Sequence, residues 1–508
     1  MMHPKGRWLT GPRFLGLGTA REPAHALKIS GNGEVEAWAP RVPASWTGDV
    51  EALPGAVALP GLHDAHLHLD WIGAFDEEVD LGGVESVSAL RGRIEAWAIE
   101  HTQPELIIGR DLDFEPLRRR GELHWRVLEG ISGRPMILRS RDGHGIWLNR
   151  SAMELVPEAW TVRDPLGGKI GRGADGAPGG DLYDAAMDPA LVLANTRDAA
   201  TLSRRILRAV QRCAQAGLTS VHSMALPPEA IDVLRDLERE GALPVRVFGY
   251  LDGTRSESWE RPLAQETGDR ARFPGIKLFA DGALGSRGAA MIEPYDDEPT
   301  CCGHLRYPPD ELAELARRAH ARGLQLAIHA IGDQGNRVAL DALAALPGVA
   351  SARHRIEHAQ IVEPSDMLRF SSLGVVASMQ PCHATSDASW VEGRIGSRRM
   401  GHAYPWVALA SHGVPLAFGT DAPIESLDPG PAMASALERA VVGESLALPA
   451  VLQARTSGAA WACRSEGWLG RLAPANRADL TLLDDLPTTP AQWRELRVAG
   501  TVLDGQLV

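Results

Sequence analysis

Eight short apolar runs, each ending in polar or charged residues, recur along this chain and constrain its fold more than any other feature. They read VALPGLHDAH (57–66), TSVHS (219–223), VRVFGYL (245–251), IKLFADG (276–282), LQLAIHA (324–330), HRIEHAQ (354–360), VVASMQP (375–381) and PLAFGTD (415–421). Nearly continuous apolar runs suit strands buried on both faces, as in a parallel sheet covered by helices. Helical patterns separate them. DELAELARRAHARG (310–323) is one, closed by Gly323 at a C-cap position. Eight such strands alternating with helices predict an α/β fold, a (β/α)8 TIM barrel over residues 59–464.

The first two runs lie about 150 residues apart, far more than one crossover needs. An inserted subdomain over about residues 72–195 is therefore expected. It holds strand-like runs at ELIIGRD (105–111) and PMILRSRD (135–142) and a glycine-rich stretch, 163–180, read as a mobile loop. Both chain ends are β-like: ALKISG and EVEAWAP near the start, ADLTLLDD and RVAGTVLDGQLV near the finish, with Asp504-Gly505 as a hairpin turn. Neither end can form a core alone, so residues 1–58 and 465–508 are expected to combine as one small β-sandwich domain. Gly467–Gly470 and Asn476–Asp479 are the turns leading into its second half.

The net charge of −13 argues against nucleic acid or an anionic membrane as a partner. Arg118-Arg119-Arg120 reads as a solvated helix face. Five cysteines, without a CxxC pair, indicate reduced thiols and a cytoplasmic protein. The opening twenty residues make a poor signal peptide, broken by Arg13 and glycines, and no apolar run reaches the ~20 residues of a membrane span. The expected partner is a small-molecule substrate, with a homodimer compatible.

Reactive groups of such barrels sit where strands end at their C-terminal face. His66 and His68 follow the first run and, being alternate residues, point to one side. Lys277 lies on the fourth run, His329 ends the fifth, His358 the sixth and Asp421 the eighth. Taken singly, each histidine reads as well as a satisfied core residue. Together, so many ionisable groups at one barrel mouth are costly unless a cation compensates them. Imidazole and carboxylate donors without cysteine suit Zn²⁺ first, with Mn²⁺, Fe²⁺, Co²⁺ or Ni²⁺ also compatible.

This order of residues resembles the amidohydrolase superfamily. GIKLFADGALGSRGAAMIEPY, AIHAIGDQGNR, RIEHAQ, ASMQPCH and GTDAPIESLDP are similar to its branch called amidohydrolase family 3, which includes N-substituted formamide deformylases. The resemblance covers nearly the whole chain. It implies one or two divalent metals held by His66, His68, His329, His358 and Asp421, with Lys277 carboxylated on its amine. The alternative for Lys277 is an unmodified amine paired with Asp281 or Asp421. It further implies Asp421 as the catalytic base in hydrolysis of a C–N bond of an N-acyl or N-formyl compound. Deaminase and esterase activities of the same superfamily are the competing readings, and a non-catalytic scaffold a remote one. Deaminases place a glutamate three residues after the strand-five histidine, where this chain has Gly332.

Asp142-Gly143-His144, followed by Trp147 and Asn149, matches a branch motif and is a candidate substrate contact; the alternative is a turn with an exposed histidine. His222 and His383 are candidates for the same role or for supporting the ligands. Arg287 either grips a substrate carboxylate or forms a structural ion pair. Asp333 either orients a ligand histidine or caps a helix, and His63 is a further candidate pocket imidazole. Arg110-Asp111-Leu112-Asp113 replaces the branch's Gly-Trp-Asp, and Arg150 interrupts its Asn-Ser pair, so the pocket is expected to differ from that of relatives.

Overall fold

The computed structural model of the protein describes residues 6–16, 24–102, 105–161, 163–173, 175–195, 198–261, 263, 268–438 and 445–508. Parts of the N-terminal stretch weighed above as a signal peptide, residues 1–5 and 17–20, lie outside them.

Eight parallel strands form the barrel: β1 Leu62–Leu67, β2 Leu218–Leu226, β3 Arg246–Asp252, β4 Ala271–Phe279, β5 Gln325–Ala330, β6 Arg355–His358, β7 Val376–Met379 and β8 Leu416–Phe418. Every residue of β1, β5, β6 and β7 is buried, which is why their sequences show no alternation. The ring closes just beyond the ends of β1 and β8, where Asp421 N donates to His66 O at 2.7 Å and His68 N to Ala422 O at 2.8 Å. Helices cover the outside. The one over Pro309–Ala321 starts with prolines and two acids, ends with Arg318 and His320, and buries Leu312, Ala316 and Ala319 on a single stripe.

The two chain ends share one eight-stranded sheet, in which Leu480–Leu483 pairs with Val57–Pro60 and Val498–Leu503 extends it. Its apolar face gathers Leu9, Phe14, Leu27, Ile29, Leu480, Leu482 and Val502. Asp504-Gly505 is the tip of the last hairpin. One expected strand is divided: in 57–66, residues Val57–Pro60 belong to this sheet and Leu62–Leu67 to the barrel, because Pro60-Gly61 breaks the run and each half finds different partners.

A six-stranded sheet stands between β1 and β2 in sequence, including Ile107–Leu112 and Met136–Ser140 where strands were expected. The glycine-rich stretch read as a mobile loop is instead a hairpin, Gly168–Arg172 against Pro178–Asp184, with Ile170 buried opposite Leu182. Pairing and burial override the weak strand propensity of its glycines. The five cysteines are free. Among the described residues, no helix is long and apolar enough to cross a membrane.

Candidate metal centre

The six residues expected to hold metal meet at the C-terminal mouth of the barrel. His66 lies in β1, and His68 stands one residue beyond it, heading the helix Leu69–Ala74. Lys277 and His329 lie within β4 and β5, His358 ends β6, and Asp421 follows β8. His358 and Asp421 have φ of +72° and +63°, a left-handed backbone that residues with side chains seldom adopt away from functional sites. Asp421 Oδ1 is 3.1 Å from His68 Nε2 and 3.4 Å from His66 Nε2. Donor atoms of His66, His358 and Asp421 all lie within 4.8 Å of one another. The His358 ring is 4.6 Å from His329 and 4.9 Å from His66, centre to centre.

The protonation pattern fits a divalent cation. Burial, reinforced by the charge of Lys277, pushes His66 down to about 4. Burial likewise holds His329 and His358 well below the usual imidazole range, so all three are neutral with a lone pair to offer. His66 Nδ1 donates to Glu357 Oε2 at 2.7 Å, leaving Nε2 as the lone pair aimed at Asp421. His329 Nε2 is committed to Gly282 O at 3.2 Å, leaving Nδ1. Burial works to raise Asp421, yet His66 and His68 hold it well below the usual carboxylate range, so it is ionised. A neutral imidazole lone pair facing a carboxylate oxygen is repulsive on its own and favourable with a cation between them. His358 Nδ1, buried and without a hydrogen-bond partner, repeats the signature. Nitrogen and oxygen donors of this kind suit zinc and its neighbours in the transition series.

Two residues passed over in the sequence fix this geometry. Arg355 and Glu357 on β6 are fully buried, with Arg355 Nε 2.5 Å and Nη2 3.0 Å from the two carboxylate oxygens of Glu357. Arg355 also donates to Ala65 O, next to His66, and to Ser378 Oγ. Glu357 therefore sets which nitrogen of His66 faces the centre, and Arg355 keeps Glu357 ionised against the effect of burial. Their signal in sequence was charge inside an otherwise apolar strand, two residues apart on one face.

Lys277 is buried, and burial lowers it to about 8. Among the described residues neither acid weighed as its partner forms an ion pair with it, although the charge of Asp421 acts on it. Asp281 accepts the backbone N–H groups of Ala290, Ile331 and Gly332 at 2.8–3.0 Å, and Asp421 faces His66 and His68.

Above the centre opens a cavity of about 320 Å³. Asp142, His144 and His383 line it, as do Phe114, Tyr183, Trp390 and Ile424. His383 Nε2 is 3.6 Å from Asp421 Oδ2. Phe114 follows the segment that replaces the branch's Gly-Trp-Asp, so that departure falls on the cavity wall.

Four candidates are placed elsewhere. His222 is fully buried beneath the mouth and absent from the cavity wall, because β2 runs on to Leu226 rather than ending at Ser223. Its Nδ1 takes a hydrogen from Arg355 Nη1 at 2.9 Å, so Nε2 bears the ring's own hydrogen. The group His63, His222 and Cys463, close enough in space for a metal, thereby lacks a free lone pair at His222, and His63 supplies no pocket contact. Arg287 does not line the cavity either; Asp297 takes its Nε and Nη2 at 3.1 and 2.8 Å, the structural ion pair. Asp333 opens the helix Asp333–Ala344 and accepts from Ile292 N and Gln334 N, touching no ligand histidine.

The sequence model of the amidohydrolase family matches residues 49–508. Amidohydrolase YtcJ of Bacillus subtilis (strain 168) is 30% identical to the chain over 478 residues, 90% of each. The N-substituted formamide deformylase of Arthrobacter pascens is 26% identical over 495 residues, again 90% of each. An uncharacterized metal-dependent hydrolase from Pyrococcus horikoshii OT3 has a similar solved structure, with a TM-score of 0.77 at 27% identity, covering 95% of this chain and 98% of that one.

Proposed function

Since this chain belongs to the amidohydrolase family, we propose that it hydrolyses the C–N bond of an N-acyl or N-formyl small molecule, with zinc as its metal. The observation that carries this reading is the meeting of neutral imidazoles and an ionised Asp421 at the barrel mouth, where His329, His358 and Asp421 line one cavity. A divalent cation held there by His66, His68, His329, His358 and Asp421 supplies polarisation of the scissile carbonyl and acidification of water.

The chain's own groups do the rest. Asp421 takes a proton from the attacking water and later gives it to the leaving nitrogen. Its Oδ1 faces Nε2 of both His66 and His68, so Oδ2, on the His383 side, is the oxygen available to that proton. Lys277 reads as a carboxylated lysine. Its depressed basicity raises the share of free amine, which attacks CO₂ through nitrogen and loses a proton to give the carbamate. The apolar walls of Phe114, Tyr183, Trp390 and Ile424 accommodate a nonpolar substituent and keep water from the scissile bond. The name of the Arthrobacter relative supports a formamide or related amide.

Deamination is the weaker reading. A Cβ at Gly332 would stand 2.0 Å from Ala290 O, so the position of the deaminases' glutamate has no room for a side chain.

The test is a hydrolysis panel of N-formyl and N-acyl amines, N-acyl amino acids, esters and aminated purines and pyrimidines, with bound metal measured on the same protein. Amide turnover that disappears on chelation and returns with zinc is expected, with Asp421→Asn folded but inactive. Ammonia release from the bases without amide cleavage would overturn the reading, and wild-type turnover in Asp421→Asn would overturn the role of that residue.

A further inference from the structure

We propose that His144, carried over the barrel mouth by the inserted sheet, is a second catalytic residue that hydrogen-bonds the scissile amide, with Asp184 as its positioning residue. The inference rests on the amide-hydrolase reading and adds a residue from outside the barrel to its machinery.

The turn that bears His144 is rigid. Asp142 Oδ1 accepts from His144 N at 3.1 Å and from Ser140 Oγ at 2.5 Å, while Ser140 Oγ accepts from Gly145 N at 2.8 Å. His144 Nδ1 donates to Asp184 Oδ1 at 2.7 Å. That commitment leaves Nε2 uncommitted, on a ring that lines the cavity 4.9 Å from the His329 ring, centre to centre. A ring held on one nitrogen by a buried carboxylate, with the other uncommitted, has its tautomer and its aim fixed before the substrate arrives.

Asp184 is built in to do this. It ends the strand Pro178–Asp184 of the inserted sheet and is only 5% exposed. Its backbone is left-handed, at φ +48°. The carboxylate reaches down into the barrel loop after β4, where Gly282 and Gly288 leave the space: a Cβ on either would stand 2.4 and 2.6 Å from Asp184 Oδ2. In that same loop, His304 Nε2 lies 2.8 Å from Oδ2, an ion-pair contact. One carboxylate thus fastens the inserted sheet to the barrel and orients an imidazole from the former over ligands from the latter. A purely structural link would not need an imidazole on the cavity wall.

Acetohydroxamate, which offers both an N–H and a carbonyl in the arrangement of an amide, is the probe. Its affinity for the zinc-loaded protein is measured by calorimetry, with zinc content and thermal unfolding followed on the same samples. His144→Leu is expected to weaken binding about tenfold or more, the scale of one hydrogen bond to a charged or strongly polar partner, with zinc content unchanged. His144→Gln, which keeps a donor and an acceptor, should recover part of the loss, and Asp184→Asn should fall between. In turnover of the best amide, His144→Leu should lower kcat more than it raises KM. Unchanged acetohydroxamate affinity in His144→Leu overturns the proposal, as does an equal loss in Leu and Gln variants or no binding by the wild-type protein. If Asp184→Asn does not fold, the two His144 variants decide. A hydroxamate response that follows His144 in a protein cleaving no amide would overturn the substrate reading alone.

Discussion

Glu357 shows how much a single buried side chain controls here. It accepts from His66 Nδ1 and is itself gripped by Arg355, so the lone pair of His66 faces Asp421 only while the carboxylate is present. Glu357→Gln removes the charge that selects this tautomer, and zinc affinity is expected to fall about 10–100-fold. Competition against a zinc chelator checks it; unaltered affinity would mean that packing alone orients His66. The candidate histidines and Asp421 that meet at the barrel mouth were legible in the sequence because each falls where an apolar run meets polar residues, whereas Lys277 lies inside its run. Arg355 and Glu357 were not, since a charged pair within a strand gives no hint that its partners lie in β1. His222 and Arg287 were left with two roles each for the complementary reason: sequence shows that a residue is near a strand end, but not how deep it sits or which acid will claim it.

Among the elements, the loop between β5 and the helix Asp333–Ala344 has the least tolerance. Gly332 N donates to Asp281, and the residue lies flat against Ala290. Gly332→Ala forces the two backbones apart and is expected to cost about 1–3 kcal/mol of stability, the range seen for overpacked interiors. Urea unfolding measures it, and an unchanged midpoint would show that the loop yields freely. Seven of the eight barrel strands stood out as runs because burial on both faces writes itself directly into composition. The division of 57–66 was hidden, since two strands of different sheets, joined end to end, look like one longer strand. The hairpin around Ile170 was hidden by its glycines, whose pairing comes from neighbours distant in sequence.

At the scale of the whole molecule, the terminal sheet is fastened to the barrel through Arg246. Buried on β3, it donates to both oxygens of Asp479 and contacts Asp504. Arg246→Met strands Asp479 in the joint and is expected to cost about 3–5 kcal/mol, read from denaturant unfolding. Acid should weaken the metal-free protein too. His63, His66 and His354 are lowered to about 3, 4 and 3 by burial, and His222, His329 and His358 also lie well below 6.5. Unfolded histidines bind protons near pH ~6.5 while the folded ones do not, so stability is full above that pH and is lost as pH falls toward ~4. Carboxyls raised by burial, among them Asp281 to about 7 and Asp387 to about 6, act in the opposite sense, whereas Asp184, Glu357 and Asp421, held low by their partners, add to the loss. Thermal unfolding followed from neutral to mildly acid pH checks the sign; a melting temperature that rises on acidification would refute it. Finally, the hydrogen bonds that shut the barrel run between residues 66–68 and 421–422, so the stitch that completes the ring is made by the metal-binding residues themselves. A nascent chain emerging from the ribosome therefore holds only fragments of the candidate metal centre until its eighth strand docks. A cation held there, as proposed above, would join the first strand to the last and discourage the ring from reopening.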